Sequence, residues 1–354
     1  MILTKTVRNK GKAEPYEKKR EKVQNDFCGA ILIVTGLVII AIGLGRYYIS
    51  PIDVIKILLS KVIHIEPDWE AQAESVIFTL RLPRIFGALL VGAALSLSGA
   101  AYQGVFKNPL VAPDMLGVSA GACVGASLAI LMQFGQKEVQ IMAFAGGIVA
   151  VAAASFIPKM MRNHSMMTLV LAGVIVGGLM NSLLGLLKYL ADPDTQLASI
   201  THWQMGSLST VVWRDIACVG PVIFISAGIL IAVRWRINIM SLGEGEARSL
   251  GTDIKKTRGL VIICATALTA SAVCISGTIG WIGLVIPHLG RMITGPDNKK
   301  LIPVSAVLGA GFLLLIDTAA RNLTSAELPL SILTGLVGAP FYFYLLVRQR
   351  TKVA

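Results

Sequence analysis

The residues with chemistry to offer are few, and they fall in small sets. Arg81 and Arg84 flank a Leu-Pro pair, and a third arginine, Arg321, stands just before the final apolar stretch. A planar guanidinium fork suits carboxylates. At a membrane edge the same residues also suit anchoring to headgroups, and both readings stand. The run Ser241-Leu-Gly-Glu-Gly-Glu-Ala-Arg-Ser-Leu-Gly251 holds a second set: Gly243, Glu244, Gly245, Glu246, Ala247, Arg248, Ser249, Leu250 and Gly251. Glu246 to Leu250 can form a short helix ended by Gly251 at its C-cap, projecting a compact charged knob; a solvated turn is the alternative. His288, in Val-Ile-Pro-His, stands alone in an apolar run, as either a structural side chain or a relay.

What is missing narrows the chemistry further. The chain contains no Gly-x-x-x-x-Gly-Lys-Ser/Thr phosphate loop, no Gly-x-Ser-x-Gly elbow and no His-Glu-x-x-His helix. Its five cysteines include no Cys-x-x-Cys pair, and Cys123, Cys218, Cys264 and Cys274 fall within apolar stretches, where they read as small buried residues. Neither a catalytic constellation nor a metal or cofactor site is expected in this chain.

The elements that must position these residues are membrane helices. Hydrophobic residues make up 55% of the chain and charged residues 15%, against about a quarter charged in soluble domains. About ten stretches approach the roughly 20 residues that cross a bilayer as helix: 27–48, 83–105, 115–135, 139–158, 167–189, 215–233, 259–276, 280–294, 301–317 and 329–347. Lys and Arg number 23 in the joints on the side of the termini and nine on the other, so both termini are expected in the cytoplasm. That topology accounts for the net charge of +12 without nucleic acid. The expected organisation is a polar cytoplasmic tail, 1–26, and a single transmembrane domain, 27–350, with its longest cytoplasmic joint at 234–258. Phe27–Tyr48 reads as an uncleaved anchor.

Several local features add detail. Ser50 and Pro51 look like N-cap and N1 of a short helix on the outer surface, with Ile52, Ile55, Leu59, Val62 and Ile63 on one face. Gly117, Gly121 and Gly125 fall four apart, as do Gly173 and Gly177, predicting close backbone approach. Gly277, Gly280 and Gly283 divide an uncharged run too long for one span, and 318–328 reads as an outer break before a last span starting at Pro329.

No Asp, Glu, Lys or Arg lies in the middle of any of these spans. Ion-driven carriers place ionisable groups at mid-membrane depth, because coupling needs a group that titrates or coordinates there. A self-contained secondary transporter or channel is therefore the disfavoured alternative. Uphill transport would draw its energy from another subunit.

Longer motifs carry a resemblance that covers nearly the whole chain. Arg81-Leu-Pro-Arg84 with Gly-Ala-Leu-Leu-Val-Gly-Ala-Ala-Leu-Ser-Leu-Ser-Gly, Lys107-Asn-Pro-Leu-Val-Ala-Pro-Asp-Met-Leu-Gly-Val-Ser-Ala-Gly-Ala, Trp203-Gln-Met-Gly-Ser-Leu, Gly280-Trp-Ile-Gly-Leu-Val-Ile-Pro-His and Gly335-Leu-Val-Gly-Ala-Pro resemble the FecCD family of type II ABC importer permeases. These serve ferric siderophores, haem and cobalamin. The resemblance implies an all-α membrane protein of ten helices, paired as a homodimer or close heterodimer in the inner membrane of a prokaryote. Two ATPase subunits holding ATP and magnesium would lie beneath, and a periplasmic or lipid-anchored substrate-binding protein above. It implies docking of that binding protein at Arg81, Arg84 and Arg321, and coupling to the ATPase through Gly243–Gly251. It also implies an inner gate at Asn108 and Leu110 and at the start of the fifth span. There, Ser165-Met166-Met167-Thr168 departs from the smaller polar residues of the cobalamin permease. Met166 and Met167 read as an adaptable plug or as packing.

Overall fold

The computed structural model describes residues 14–45, 47–61, 63, 66–162, 165–324 and 326–350; the side chains of 14–26, Glu244, Leu345, Leu346 and 348–350 fall outside the description. These residues form helices and no strands. Helix α1 (Glu14–Gly43) starts inside the stretch expected as a polar tail, of which 1–13 lies outside the described residues. Helix α2 (Pro51–Leu59) is capped as expected, Ser50 Oγ accepting from the Ile52 amide at 3.3 Å. Val54 and Ile57 are buried beneath it, while Ile52, Ile55, Leu59 and Ile63 are exposed; Val62 lies outside the described residues.

Helix α3 (Ala71–Phe106) is the axis of the molecule. Nearly every residue from Pro83 to Val105 is buried. Around it run α4 (Val118–Leu131), α5 (Gln136–Met160), α6 (Met166–Leu190), α7 (Gln196–Met205), α8 (Trp213–Met240), α9 (Glu244–Ser249), α10 (Ile254–Ser276), α11 (Ile282–Thr294), α12 (Asn298–Asn322) and α13 (Leu330–Arg350). Lipid tails are as apolar as leucine, so membrane helices associate through close packing of small residues. A Cβ added at Gly125 would lie 2.0 Å from the Met142 carbonyl oxygen, and one at Gly99 2.1 Å from that of Gly283. Only glycine lets α4 meet α5, and α3 meet α11, at this distance.

Among the described residues, six helices are long and apolar enough to cross a membrane: α3, α5, α6, α8, α10 and α12. The apolar parts of α1, α4, α11 and α13 are shorter, at Phe27–Gly43, Val118–Leu131, Ile282–Thr294 and Leu330–Tyr344. With a rise of 1.5 Å per residue, α4 and α11 are each about 20 Å long, short of the ~30 Å hydrocarbon core. The stretches expected as spans 115–135 and 280–294 are therefore short helices, entered from irregular segments at 107–117 and 277–281. Irregular backbone at membrane depth is tolerated only where protein or a polar cavity surrounds it.

Two other expectations need revision. Helix α12 continues to Asn322, so the outer break is 323–329 rather than 318–328. Its last turns are held in helix because Asp317 and Arg321 face buried partners, described below. Helix α7 was not foreseen, since Gln196, His202 and Gln204 interrupt any apolar period. Among the cysteines, Cys123, Cys264 and Cys274 are buried, whereas Cys218 is exposed.

Candidate functional site

The knob forms where the sequence places it. Helix α9 begins at Glu244, two residues earlier than expected, and is closed by Gly251 at φ +75°, a left-handed position that glycine adopts without strain. Gly251 N donates to the Arg248 carbonyl at 2.9 Å and Thr252 N to that of Ala247 at 3.0 Å, satisfying the last carbonyls of the turn. Ala247 is fully buried and pins the turn down, leaving Gly245, Glu246, Arg248, Ser249 and Leu250 exposed; the Glu244 side chain lies outside the described residues. Leu242 and Leu250 are both exposed, one on each side of the charged residues in sequence, so the turn has two apolar flanks, of which only Leu242 lay outside the expected set. Asp253 caps α10, and the Lys256 amide, donating at 3.0 Å, holds its carboxyl below the usual carboxylate range.

A cavity of about 230 Å³ lies under the knob, bordered by Gly243 and Ala247 on one side and by Phe106, Lys107 and Met166 on the other. The knob thus shares a boundary with the end of α3 and the start of α6. Asn108 Oδ1 accepts from the Leu110 amide at 2.9 Å, and both residues are exposed on the segment leaving α3. Met166 is half-buried against the cavity, while Met167 is 68% exposed.

The segment 107–117 then folds back into the molecule. Gln103 Nε2 donates to the Val111 and Gly283 carbonyls at 3.3 and 3.2 Å, and Gln103 Oε1 accepts from Arg291. Pro113 fills the space beside Gly283, at the level of Leu95 in the middle of α3. Asp114 follows, facing a cavity of about 500 Å³ shared with Leu95, Ser119, Asn181, Gln204, Thr269 and Thr278. A carboxylate therefore borders a cavity beside the middle of α3, within the helix bundle. Pro109 and Pro113 bar this segment from continuing α3 as helix, so its charge arrives from a joint rather than from a span.

Beside that cavity the end of α7 is bonded to the segment at 276–278 that follows from α10. Ser207 N donates to the Ser276 carbonyl at 2.8 Å, and Thr278 Oγ1 to that of Gln204 at 2.6 Å. A second cavity of about 640 Å³, bordered by Gln136, Ser199, His202 and Ser209, lies on the other side of this junction. His288 borders neither cavity; its ring meets Tyr342 edge-on at 6.4 Å and its Nδ1 has no hydrogen-bond partner among the described residues.

The three arginines converge, but inward. They are 5%, 8% and 7% exposed at Arg81, Arg84 and Arg321. Arg84 Nε donates to both oxygens of fully buried Asp317 at 2.9 and 3.1 Å, and Nη1 to both oxygens of Glu327 at 2.9 Å. Arg321 Nε lies 3.5 Å from Asp317 Oδ2. Arg81 donates to the Gly43 carbonyl at 3.1 Å and to those of Ile42 and Tyr47, after a π-helical turn at Val76–Arg81 whose Phe78 carbonyl accepts from Trp213 Nε1 at 2.9 Å. The outer rim expected at these arginines is thus a buried network joining α1, α3, α12 and the approach to α13. Of its acidic half, Glu327 stands in the sequence at capping-box spacing from Thr324 and opens a Glu-Leu-Pro motif, with nothing to mark it as a partner of Arg84, and nothing marks Asp317 at all. Glu327, with 36% of its side chain exposed, is the one carboxylate reachable from outside.

A family model, the FecCD transport family, matches residues 31–348. The chain belongs to this family. The permease is 39% identical over 322 residues to the molybdate import system permease of Haemophilus influenzae, covering 91% of this chain and 95% of that one. It is 42% identical over 277 residues to an iron chelatin transport system permease of Helicobacter pylori, covering 78% and 83%. A solved metal-chelate type ABC transporter, in an inward-facing conformation, shares its fold with a TM-score of 0.83 and 37% identity, covering 92% of this chain and 99% of that one. This permease is accordingly a multi-pass transport subunit of an ABC importer.

Proposed function

We propose that this permease carries a metal chelate across the cytoplasmic membrane of a prokaryote, a ferric siderophore first, with haem or cobalamin next. Energy arrives from two partner ATPase subunits through Glu246, Arg248 and the rest of the α9 turn, and two permease copies form the pathway. The observation that carries this reading is the knob itself. It is an exposed turn with apolar flanks, pinned by Ala247 and sharing a cavity with Lys107 and Met166, so a push on α9 reaches the segment carrying Asn108 and Leu110.

An extracytoplasmic binding protein would deliver the ligand. Its acidic residues would compete with Glu327 for Arg84, rather than meet free forks at Arg81, Arg84 and Arg321. Interactions of that kind set orientation and on-rate more than affinity.

The Asp114 cavity favours a chelate over the oxyanion named for the Haemophilus relative. A carboxylate accepts hydrogen bonds, and molybdate offers only acceptors and negative charge. A chelate presenting N–H or O–H groups suits Asp114, Asn181, Gln204 and the neighbouring hydroxyls. The test is ATP-dependent uptake into proteoliposomes with partner ATPase and binding protein, offering a ferric siderophore, haem, cobalamin and molybdate in parallel. Siderophore uptake should exceed molybdate uptake, and Asp114→Asn should lower it about fivefold, the difference of about 1 kcal/mol between accepting a hydrogen bond with a carboxylate and with a neutral amide. Molybdate uptake above siderophore uptake, unaffected by Asp114→Asn, would reverse the assignment.

A further inference from the structure

One wall of the Asp114 cavity plays no part in the account above. Trp281, at the entry to α11, is the one aromatic residue bordering it among the described residues. Its backbone is unusual, with φ +71° and ψ −33°, and the Ile282 amide donates across it to the Gly280 carbonyl at 2.9 Å. That is close to a γ-turn of the rare, strained kind, at a left-handed position that a bulky residue seldom takes. The indole is held by α13. A Cβ added at Gly338 would lie 2.7 Å from Trp281 Cβ and 2.9 Å from its Cγ, and one at Gly335 3.6 Å from its Nε1, so the two glycines, on one face of the helix, leave a notch that seats the side chain.

Packing alone does not account for this arrangement. A side chain serving only to fill the notch would be buried, whereas Trp281 remains 36% exposed. Glycine would make the same turn without strain, and residues in strained backbone persist where their surroundings over-determine them, often at ligand clamps. The rest of the wall supplies hydrogen-bonding groups at Asp114, Asn181, Gln204, Thr269 and Thr278, so the indole is its one extended π surface. Aromatic rings attract one another in offset or edge-on contact beyond the area they bury. We propose that Trp281 is a specificity-determining residue of this permease, taking an aryl ring of the chelate against its indole while Asp114 accepts from the chelate's N–H groups. Granted the Asp114 cavity as part of the pathway, on which this assignment rests, the substrate class is a ferric chelate whose iron-binding arms carry aromatic rings.

The test is equilibrium binding of two neutral radio-iron chelates, ferric tris(benzohydroxamate) and ferric tris(acetohydroxamate), to the full-length permease in nanodiscs, with binding to empty nanodiscs subtracted. The two share charge and N–H groups and differ in the ring. The benzohydroxamate should bind at least about tenfold more tightly. Trp281→Leu should lower its binding about tenfold and that of the acetohydroxamate less than about twofold, while Trp281→Phe should retain most of the preference. Gly338→Ala, at a residue that does not border the cavity, displaces the indole without removing it and should also lower benzohydroxamate binding selectively. Asp114→Asn should lower both chelates alike, about fivefold. Equal binding of the two chelates by the unaltered permease, equal loss of both or an unchanged benzohydroxamate affinity in Trp281→Leu or Gly338→Ala, or a loss in Trp281→Phe as large as in Trp281→Leu would each overturn the assignment of Trp281 alone. No loss of either chelate in Asp114→Asn would overturn the reading of the Asp114 cavity, and this assignment with it.

Discussion

Three guanidinium groups buried with two carboxylates set the energetics at the residue scale. Asp317 has no exposure and serves Arg84 and Arg321 at once, so removing its charge leaves two buried cations short of a partner. Breaking one side of a buried pair costs about 3–5 kcal/mol. Asp317→Asn should therefore lower the thermal stability of the purified permease strongly, while Glu327→Gln, at a partly exposed position, should lower it much less. Equal effects in a thermal unfolding assay would contradict the division of labour between the two carboxylates. The arginines were legible in the sequence, but their surroundings were not. Asp317 and Glu327 lie more than 200 positions from Arg84, and nothing local in either stretch announces the pairing. Asp114 was hidden differently: it sits in a joint, and only the fold-back enforced by Pro109, Pro113 and the Gln103 bonds carries it to the depth of Leu95.

At the scale of elements, the knob was readable because turn chemistry is local. Gly243, Gly251 and the charged residues between them specify a short exposed helix whatever lies around them. Substituting Glu246 and Arg248 together by alanine should lower ligand-stimulated ATP turnover of the assembled importer at least severalfold while leaving the size of the purified permease unchanged. The check is ATPase activity beside size-exclusion chromatography of one preparation, and unchanged turnover would remove these residues from coupling. The glycine spacing in α4 was equally legible. What it could not tell is that α4 and α11 are short helices reached through irregular segments. Hydropathy counts apolar residues without registering where the backbone turns, so 115–135 and 280–294 read as full spans. Helix α7 escaped for the converse reason, being helical but too polar to show a period.

For the whole molecule, the charge asymmetry and the run of apolar segments fixed the class of protein from composition alone, and the family match extends it to an importer subunit. One argument on the way has to be replaced. The lack of charge in the spans does not amount to a bundle without titratable groups, because Asp114 borders the cavity beside Leu95 and Thr269. The proposal that energy comes from a partner subunit therefore rests on the family and the exposed α9 turn, together with the lack of any phosphate loop in the sequence. The most direct measurement is solute accumulation in proteoliposomes containing the permease with and without its ATPase and binding protein. Accumulation should require ATP and both partners, and should be indifferent to an imposed pH or sodium gradient. Accumulation by the permease alone, driven by such a gradient, would contradict the account.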